Sequence, residues 1–311
     1  MDTLDQRALV RRVLAHLEAG TTDADPREVT IDVAAYRDPA RLEREIGRLF
    51  RELPLAIAHG SELPRPGDFV THEASGVPLL VVRQGDGSVA AFINVCRHRG
   101  TRVELAERGN KSAFACPYHG WTYGKDGRLL VVPHERGFPC LDRPSRGLVR
   151  VPATEVAGLV FVRPSPAEGG GVDLDARLGP LARDLEGFGL GSGAVHAARS
   201  QTRALSWKLA IDVFLESYHL RPTHKRTIYP MFFDNVGTVD RVGPHLRNVF
   251  PKRSIRELAG QPEESWVLRR HANVLYHLFP NTLVLVQPDH AAVLRVWPSG
   301  PARAIVESSM V

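Results

Sequence analysis

Two short pairs of metal-binding side chains constrain this chain more than any other feature: Cys96-Arg-His98 and, after an interval of seventeen residues, Cys116-Pro-Tyr-His119. Thiolates and imidazoles are soft or borderline donors, and two close pairs on loops between short strands can enclose a metal centre. Any fold must therefore bring these two loops together. One occupant is structural zinc, since two cysteines and two histidines satisfy a tetrahedral ion. Zinc pairs usually leave about two to four residues between ligands, whereas a single residue separates Cys96 from His98. The other occupant is a 2Fe-2S cluster with two thiolates on one iron and two imidazoles on the other. Replacing thiolates by neutral imidazoles removes negative charge and raises the reduction potential. The third cysteine, Cys140, reads as a small buried or half-buried residue without a metal role.

Three cysteines in 311 residues are too few for a disulfide framework. The length suits two domains with separate cores, and an apolar fraction of 43% with 24% charged residues is that of a globular protein. No apolar run approaches the roughly 20 residues of a membrane span, and the charged N-terminus lacks a signal-peptide core. The expected location is the cytoplasm, with no membrane partner. A net charge of +5 raises the question of nucleic acid. The basic residues are scattered beside acidic ones, as in Glu43-Arg44-Glu45, so no nucleic-acid partner is expected. A mildly basic face suits an acidic redox partner.

Between Asp38 and Leu53 the apolar residues Leu42, Ile46, Leu49 and Phe50 follow helical spacing, ending at Pro54. Residues 1–60 are read as an N-terminal helical brace. From Gly67 to Pro164 short β-rich runs (78–83, 89–93, 158–162) between Gly, Asp and Pro turns predict a small antiparallel β domain over 61–166. The stretch Ser165 to Gly171 reads as a linker. Residues 172–311 then give helices near 174–188 and 207–220 and strands at 273–278, 282–287 and 291–296, an α+β domain.

The second constellation lies on the helix expected over 207–220. Asp212, Glu216 and His219 stand at i, i+4 and i+7 and share its face, while Pro222 ends it and lets the chain bend to return His224. By itself a polar stripe with two histidines is an ordinary solvated helix face.

The segment Cys116-Pro-Tyr-His-Gly-Trp-Thr-Tyr123, with the spacing C-x-H, fifteen to seventeen residues, C-x-x-H, closely resembles the second cluster loop of Rieske oxygenases. About a hundred residues later, Glu216-x-x-His219-x4-His224 resembles the mononuclear-iron motif of the same family. The likeness runs from about Glu52 to Val306. It implies the catalytic (alpha) subunit of a Rieske non-haem iron oxygenase of the ring-hydroxylating family, with a Rieske domain followed by a helix-grip (START-like) α+β catalytic domain. Cys96, His98, Cys116 and His119 would hold the 2Fe-2S cluster. His219 and His224 would ligate a mononuclear Fe(II). Glu216 would take the place of the acid that bridges this iron to the Rieske centre of a neighbouring subunit, implying a homotrimer, with or without a beta subunit. Relatives often carry Asn where this chain has Val213.

A two-histidine, one-carboxylate triad leaves open positions for dioxygen, but the family's carboxylate comes from a C-terminal helix, here expected beyond Val311. A truncated sequence is one expectation, because the last strand has no helix to cover its sheet. Substitution by Asp234, Asp240 or Asp289 is the other. Electrons would come from NAD(P)H through a separate reductase or ferredoxin, since no Gly-rich dinucleotide fingerprint is visible. With O2 they would hydroxylate or oxidatively demethylate a small organic, aromatic substrate. The competing reading is a Rieske electron carrier or ligand-binding protein without oxygenase chemistry. The run Tyr276 to Gln287 reads chiefly as core, with a pocket for an aromatic ring or quaternary amine as the alternative.

Overall fold

A computed structural model describes Met1, residues 3–166 and residues 177–311. Contacts divide the chain into two units, Glu43–Leu174 and Met1–Leu42 with Asp175–Val311. The segment 1–60 read as one brace thus falls in both. The expected linker lies mostly, and the start of the expected 174–188 helix wholly, outside the described residues.

The helix Pro39–Glu45 spans the division at Leu42 and passes into a wider turn over Ile46–Phe50 of the first unit, whose Phe50 is fully buried. Its strands are β1 (Leu55–His59), β2 (Asp68–His72), β3 (Leu79–Arg83), β4 (Val89–Ile93), β5 (Arg108–Asn110), β6 (Ala113–Ala115), β7 (Thr122–Gly124), β8 (Leu129–Val131), β9 (Arg150–Val151), β10 (Ala153–Val156) and β11 (Leu159–Val162). They form three antiparallel sheets ordered β1-β11-β10, β5-β2-β3-β4-β9 and β6-β7-β8. The last two sheets share a core of Phe69, Leu80, Phe92, Phe114, Trp121 and Tyr123, into which Cys96 and Cys116 are packed. Phe69 meets Phe114 edge to face at 5.3 Å, a favoured aromatic geometry.

The second unit is one seven-stranded antiparallel sheet made of β12 (Ala197–Arg203), β13 (Thr238–Val242), β14 (His245–Pro251), β15 (Ala272–Leu278), β16 (Thr282–Val286), β17 (Ala291–Gly300) and β18 (Arg303–Met310). Its order is β12-β18-β17-β16-β15-β14-β13. Strand alternation gives it two faces. On one, Arg247 and Tyr276 reach Asp184 of the helix Pro180–Gly187 at 2.8 and 3.1 Å. The helix Thr3–Ala19 joins this side through Arg12, which bonds Asp240 at 2.6 Å. The other face carries Phe250, Asn273, Leu275 and Leu285, and these line a cavity. Within the run Tyr276 to Gln287, Tyr276, Leu278, Leu283, Val284 and Val286 are core, and Leu285 lines the cavity.

The expected helix over 207–220 does not form as one piece. It runs only from Trp207 to Asp212, tightens through bonds from Phe214 N–H to Ile211 and Leu215 N–H to Asp212, and a new helix spans Leu220–Thr223. Glu216 accepts the His219 backbone N–H at 3.1 Å, a side-chain bond in place of a helical one. Tyr36 donates to the Asp212 carboxylate at 2.8 Å at the end of the first piece. Pro222 sits in the first turn of the new helix, where a missing N–H costs nothing.

Candidate metal centres

The two Cys/His loops are built alike. Cys96 N–H bonds Thr101 O and Gly100 N–H bonds Cys96 O, at 2.8 and 3.0 Å; Cys116 N–H bonds Trp121 O and Gly120 N–H bonds Cys116 O, at 2.8 and 2.9 Å. Gly100 and Gly120 close these turns with φ of 78° and 74°, a conformation strained for side chains bearing Cβ. The loops follow β4 and β6, so the sheets bring them side by side. Both thiols are buried while His119 is exposed. The His98 and His119 rings lie 4.6 Å apart, and His98 stacks on Trp121 at 4.9 Å with 6° between planes.

Two side chains unassigned in the sequence support this arrangement. Tyr123 places its hydroxyl 3.3 Å from Cys96 Sγ and accepts the Arg97 N–H at 3.0 Å. Buried Asn94 accepts the N–H groups of Val103 and Glu104 and donates to Glu104 O, tying the end of β4 to the return of the first loop. Tyr123 stands in the quoted second loop, but its contact with a cysteine 27 residues earlier is a tertiary fact. Cys140, expected buried or half-buried, is exposed; it follows a short turn outside the sheets, where no core element covers it.

In the second unit His219 and His224 flank the helix Leu220–Thr223 at its N-cap and C-cap. That single turn sets their rings 5.3 Å apart. His219 Nδ1 lies 2.6 Å from Glu216 Oε1. A carboxylate only accepts, so Nδ1 carries the proton and Nε2 keeps its lone pair for a ligand. Asp212, expected on the same stripe, is turned to Tyr36 instead. Glu216, His219 and His224 line a cavity of about 400 Å³ whose other walls include Phe214, Phe232, Phe250, Leu275 and Leu285. Of the acids considered as further ligands, Asp234 pairs with Arg221 at 3.3 Å, Asp240 with Arg12 and Arg247, and Asp289 with His290 at 2.8 Å. Among the described residues, no three His, Cys, Asp or Glu side chains gather round one ion.

Residues 54–142 match the Rieske [2Fe-2S] domain, and residues 191–311 match the ring hydroxylating alpha subunit catalytic domain. The oxygenase subunit of carnitine monooxygenase from Escherichia coli strain K12 is 32% identical over 270 residues, covering 85% of this chain and 70% of that protein. The chain belongs to the Rieske oxygenase alpha-subunit family.

Other Rieske oxygenase relatives act on different molecules. Chlorobenzene dioxygenase subunit alpha from Cupriavidus sp. strain PS12 is 34% identical over 71% of this chain and 50% of its own length. Biphenyl 2,3-dioxygenase subunit alpha from Rhodococcus jostii strain RHA1 is 30% identical over 89% and 58%. The chain thus spans about half the length of these two relatives. The fold is that of solved Rieske oxygenases: naphthalene 1,2-dioxygenase from Rhodococcus sp. superimposes with a TM-score of 0.77 over 98% of this chain and 76% of that one, at 24% identity. A quaternary ammonium Rieske monooxygenase gives 0.79 over 90% and 74%, at 23% identity.

A Rieske domain binds a 2Fe-2S cluster, the catalytic domain of this family uses a mononuclear iron, and electrons reach family members from a partner reductase. The residues of this chain fit the cluster on three counts. His98 Nδ1 is buried with no hydrogen-bond partner among the described residues, as suits a nitrogen that would bond iron. Burial pushes the Cys116 thiol up in pKa, and Cys96 beside it adds to the effect, so nearby cationic charge favours its ionisation. Burial, with His119 and Arg99, lowers the pKa of His98 and keeps its imidazole neutral, the form that binds metal. Two protein ligands per iron call for no group of three. Among the described residues, no helix is long and apolar enough to cross a membrane.

Proposed function

We propose that this chain is the terminal oxygenase component of a Rieske system. In this reading Cys96, His98, Cys116 and His119 hold the 2Fe-2S cluster, and His219 and His224 hold the mononuclear iron. The observation that carries it is the His219/His224 pair, oriented by Glu216 and opening on a mostly apolar cavity. The bound iron centres supply stepwise electron transfer and activation of dioxygen for hydroxylation or oxidative demethylation. Glu216 fixes the tautomer and ring direction of His219. Phe214, Phe232, Phe250, Leu275 and Leu285 bury the substrate and exclude water, which suits an apolar, aromatic molecule. Electrons come from NAD(P)H through a separate reductase or ferredoxin, and the working assembly is a homotrimer in which Glu216 faces the Rieske centre of a neighbouring subunit.

The test is anaerobic purification followed by iron and acid-labile sulfide analysis, EPR of the dithionite-reduced protein, and turnover with a Rieske reductase, NADH, O2 and aromatic hydrocarbons. A rhombic Rieske signal with substrate-dependent O2 uptake and a hydroxylated product is expected. A cluster signal without any product would leave an electron carrier. Stoichiometric zinc without sulfide would remove the cluster.

A further inference from the structure

Beyond the four ligands, the Rieske unit lays a further segment against the cluster loops. It runs from Pro133 to Leu148, between β8 and β9, and contains two short turns, Glu135–Gly137 and Pro144–Arg146. Pro133 lies against the second loop, where a Cβ added to Gly120 would meet its Cγ at 3.1 Å. Phe138 reaches the first: its ring stands edge to face to His98 at 5.8 Å and to Trp121 at 5.8 Å. The Leu148 N–H then bonds Gly127 O at 2.8 Å and returns the chain to the core. The segment is a strap across both loops.

Along this strap His134, Arg136, Gly137, Pro139 and Cys140 are exposed, Phe138 is half-buried, and Trp121 beneath it is buried. The Phe138 ring is thus the layer between water and the stacked pair of His98 and Trp121. One clasp holds it there. Arg143 Nε donates to Glu135 Oε1 at 2.5 Å and Nη2 to Oε2, while Nη1 donates to Leu130 O at 3.0 Å. Both charged side chains are partly open to solvent, so the clasp is a weak one.

The charge of the cluster gives this cover a consequence. Two ferric ions, two sulfides, two thiolates and two neutral imidazoles carry no net charge, and one added electron leaves a single negative charge. Neutral imidazoles make their side of the cluster the easier one to reduce, and Phe138 covers that side at His98. Water stabilises a charge more than an apolar ring does, so cover holds the potential down and its removal raises it.

We infer that Phe138, clasped over His98 by the Glu135–Arg143 pair, shields the cluster, lowering its reduction potential and slowing its loss to solvent. This rests on the assignment of the four ligands to a 2Fe-2S cluster and goes further in giving the strap a part in tuning it. Phe138 is a positioning residue, acting through the His98 ring and the water it excludes.

The test uses the full chain purified anaerobically with its cluster and reads two quantities, the midpoint potential by EPR-monitored titration and the rate of iron release to bathophenanthroline disulfonate. Phe138→Ala should raise the ratio of reduced to oxidised cluster at a fixed potential at least about threefold, about 30 mV for one electron, and should speed iron release. Phe138→Leu, which keeps apolar cover, should stay near wild type in both. Glu135→Gln keeps the ring and opens the clasp, so it should move both readouts in the same direction by less; it also carries the test if Phe138→Ala takes up no cluster. A purely structural Phe138 would lower the cluster content while the remaining clusters kept the wild-type potential, and that result overturns the inference. A fall in potential, an unchanged release rate, or a Glu135→Gln protein indistinguishable from wild type overturns it as well. The wild-type spectrum separates the two readings: without a Rieske signal the ligand assignment fails, whereas a Rieske signal whose potential ignores Phe138 sinks the shield alone.

Discussion

The Glu216 carboxylate holds His219 at two points: Oε1 lies 2.6 Å from ring Nδ1, and Oε2 accepts the backbone N–H at 3.1 Å. One acid thereby sets both the tautomer of the ring and the start of the short helix that carries His224 to its place.

Removing that acid should loosen metal binding without unfolding the protein, since Glu216 is exposed. Glu216→Ala should reduce affinity for mononuclear Fe(II) about 10- to 100-fold, the usual loss when a metal-binding histidine loses its orienting partner. Glu216→Gln, which keeps an acceptor, should lose less. Equilibrium dialysis with Fe(II) under argon reads both, and equal affinity in wild type and Glu216→Ala would contradict the assignment.

Tyr123 should tune the cluster. With Cys96 as a thiolate ligand, the hydroxyl 3.3 Å away donates to sulfur and favours the more negative reduced state, so it raises the potential. Tyr123→Phe should lower it by about 40 mV, the one-electron equivalent of about 1 kcal/mol. A redox titration followed by EPR decides; an unchanged potential argues that the bond is absent in the loaded protein.

Asp184 anchors the covered face of the large sheet. It is 2% exposed and accepts from both Arg247 and Tyr276. Asp184→Ala leaves a half-paired Arg247 and an unpaired buried phenol, so urea unfolding should show a loss of about 3 kcal/mol. Asp184→Asn should cost less because an acceptor remains. A loss below about 1 kcal/mol for the alanine variant would show that Asp240 alone suffices for Arg247.

Acid should weaken the second unit through His245. Burial, reinforced by Arg177, pulls its pKa down from 6.5 to about 4, and its Nδ1 accepts the Phe279 N–H at 2.9 Å, which requires the unprotonated nitrogen. Between these two values the unfolded chain binds the extra proton. The contribution is therefore fully present above pH 6.5 and is lost as the pH falls towards 4, by roughly 3 kcal/mol in total. His277, also lowered, acts in the same direction. Urea midpoints from pH 7 to 4 should fall more steeply for wild type than for His245→Gln; parallel curves would refute the assignment.

Much of the Rieske unit was legible locally. The strands Leu79–Arg83, Val89–Ile93 and Leu159–Val162 follow apolar runs bounded by turn residues, because nearly all their side chains are buried. The strands β12 to β14 went unread for opposite reasons. β12 is exposed along almost all its length and carries no apolar alternation, while β14 buries His245 and Asn248 and half-buries Arg247, polar residues that mask its period. Arg247 is tolerated there because Asp184 and Asp240 neutralise it from other elements, which no local pattern records.

The sequence by itself determined the chemistry available: four soft ligands in two loops, and two histidines spaced by four residues after an acid. That information is local, since ligand type and spacing lie within a few residues of chain. Only the tertiary structure decided how those groups are used. Tyr36 binds Asp212, 176 residues away, and a single helical turn pairs His219 with His224. Register between β14 and β15 then sets Asn248 opposite Leu275. Such outcomes depend on contacts between distant segments, whose energies appear only once the sheet has assembled.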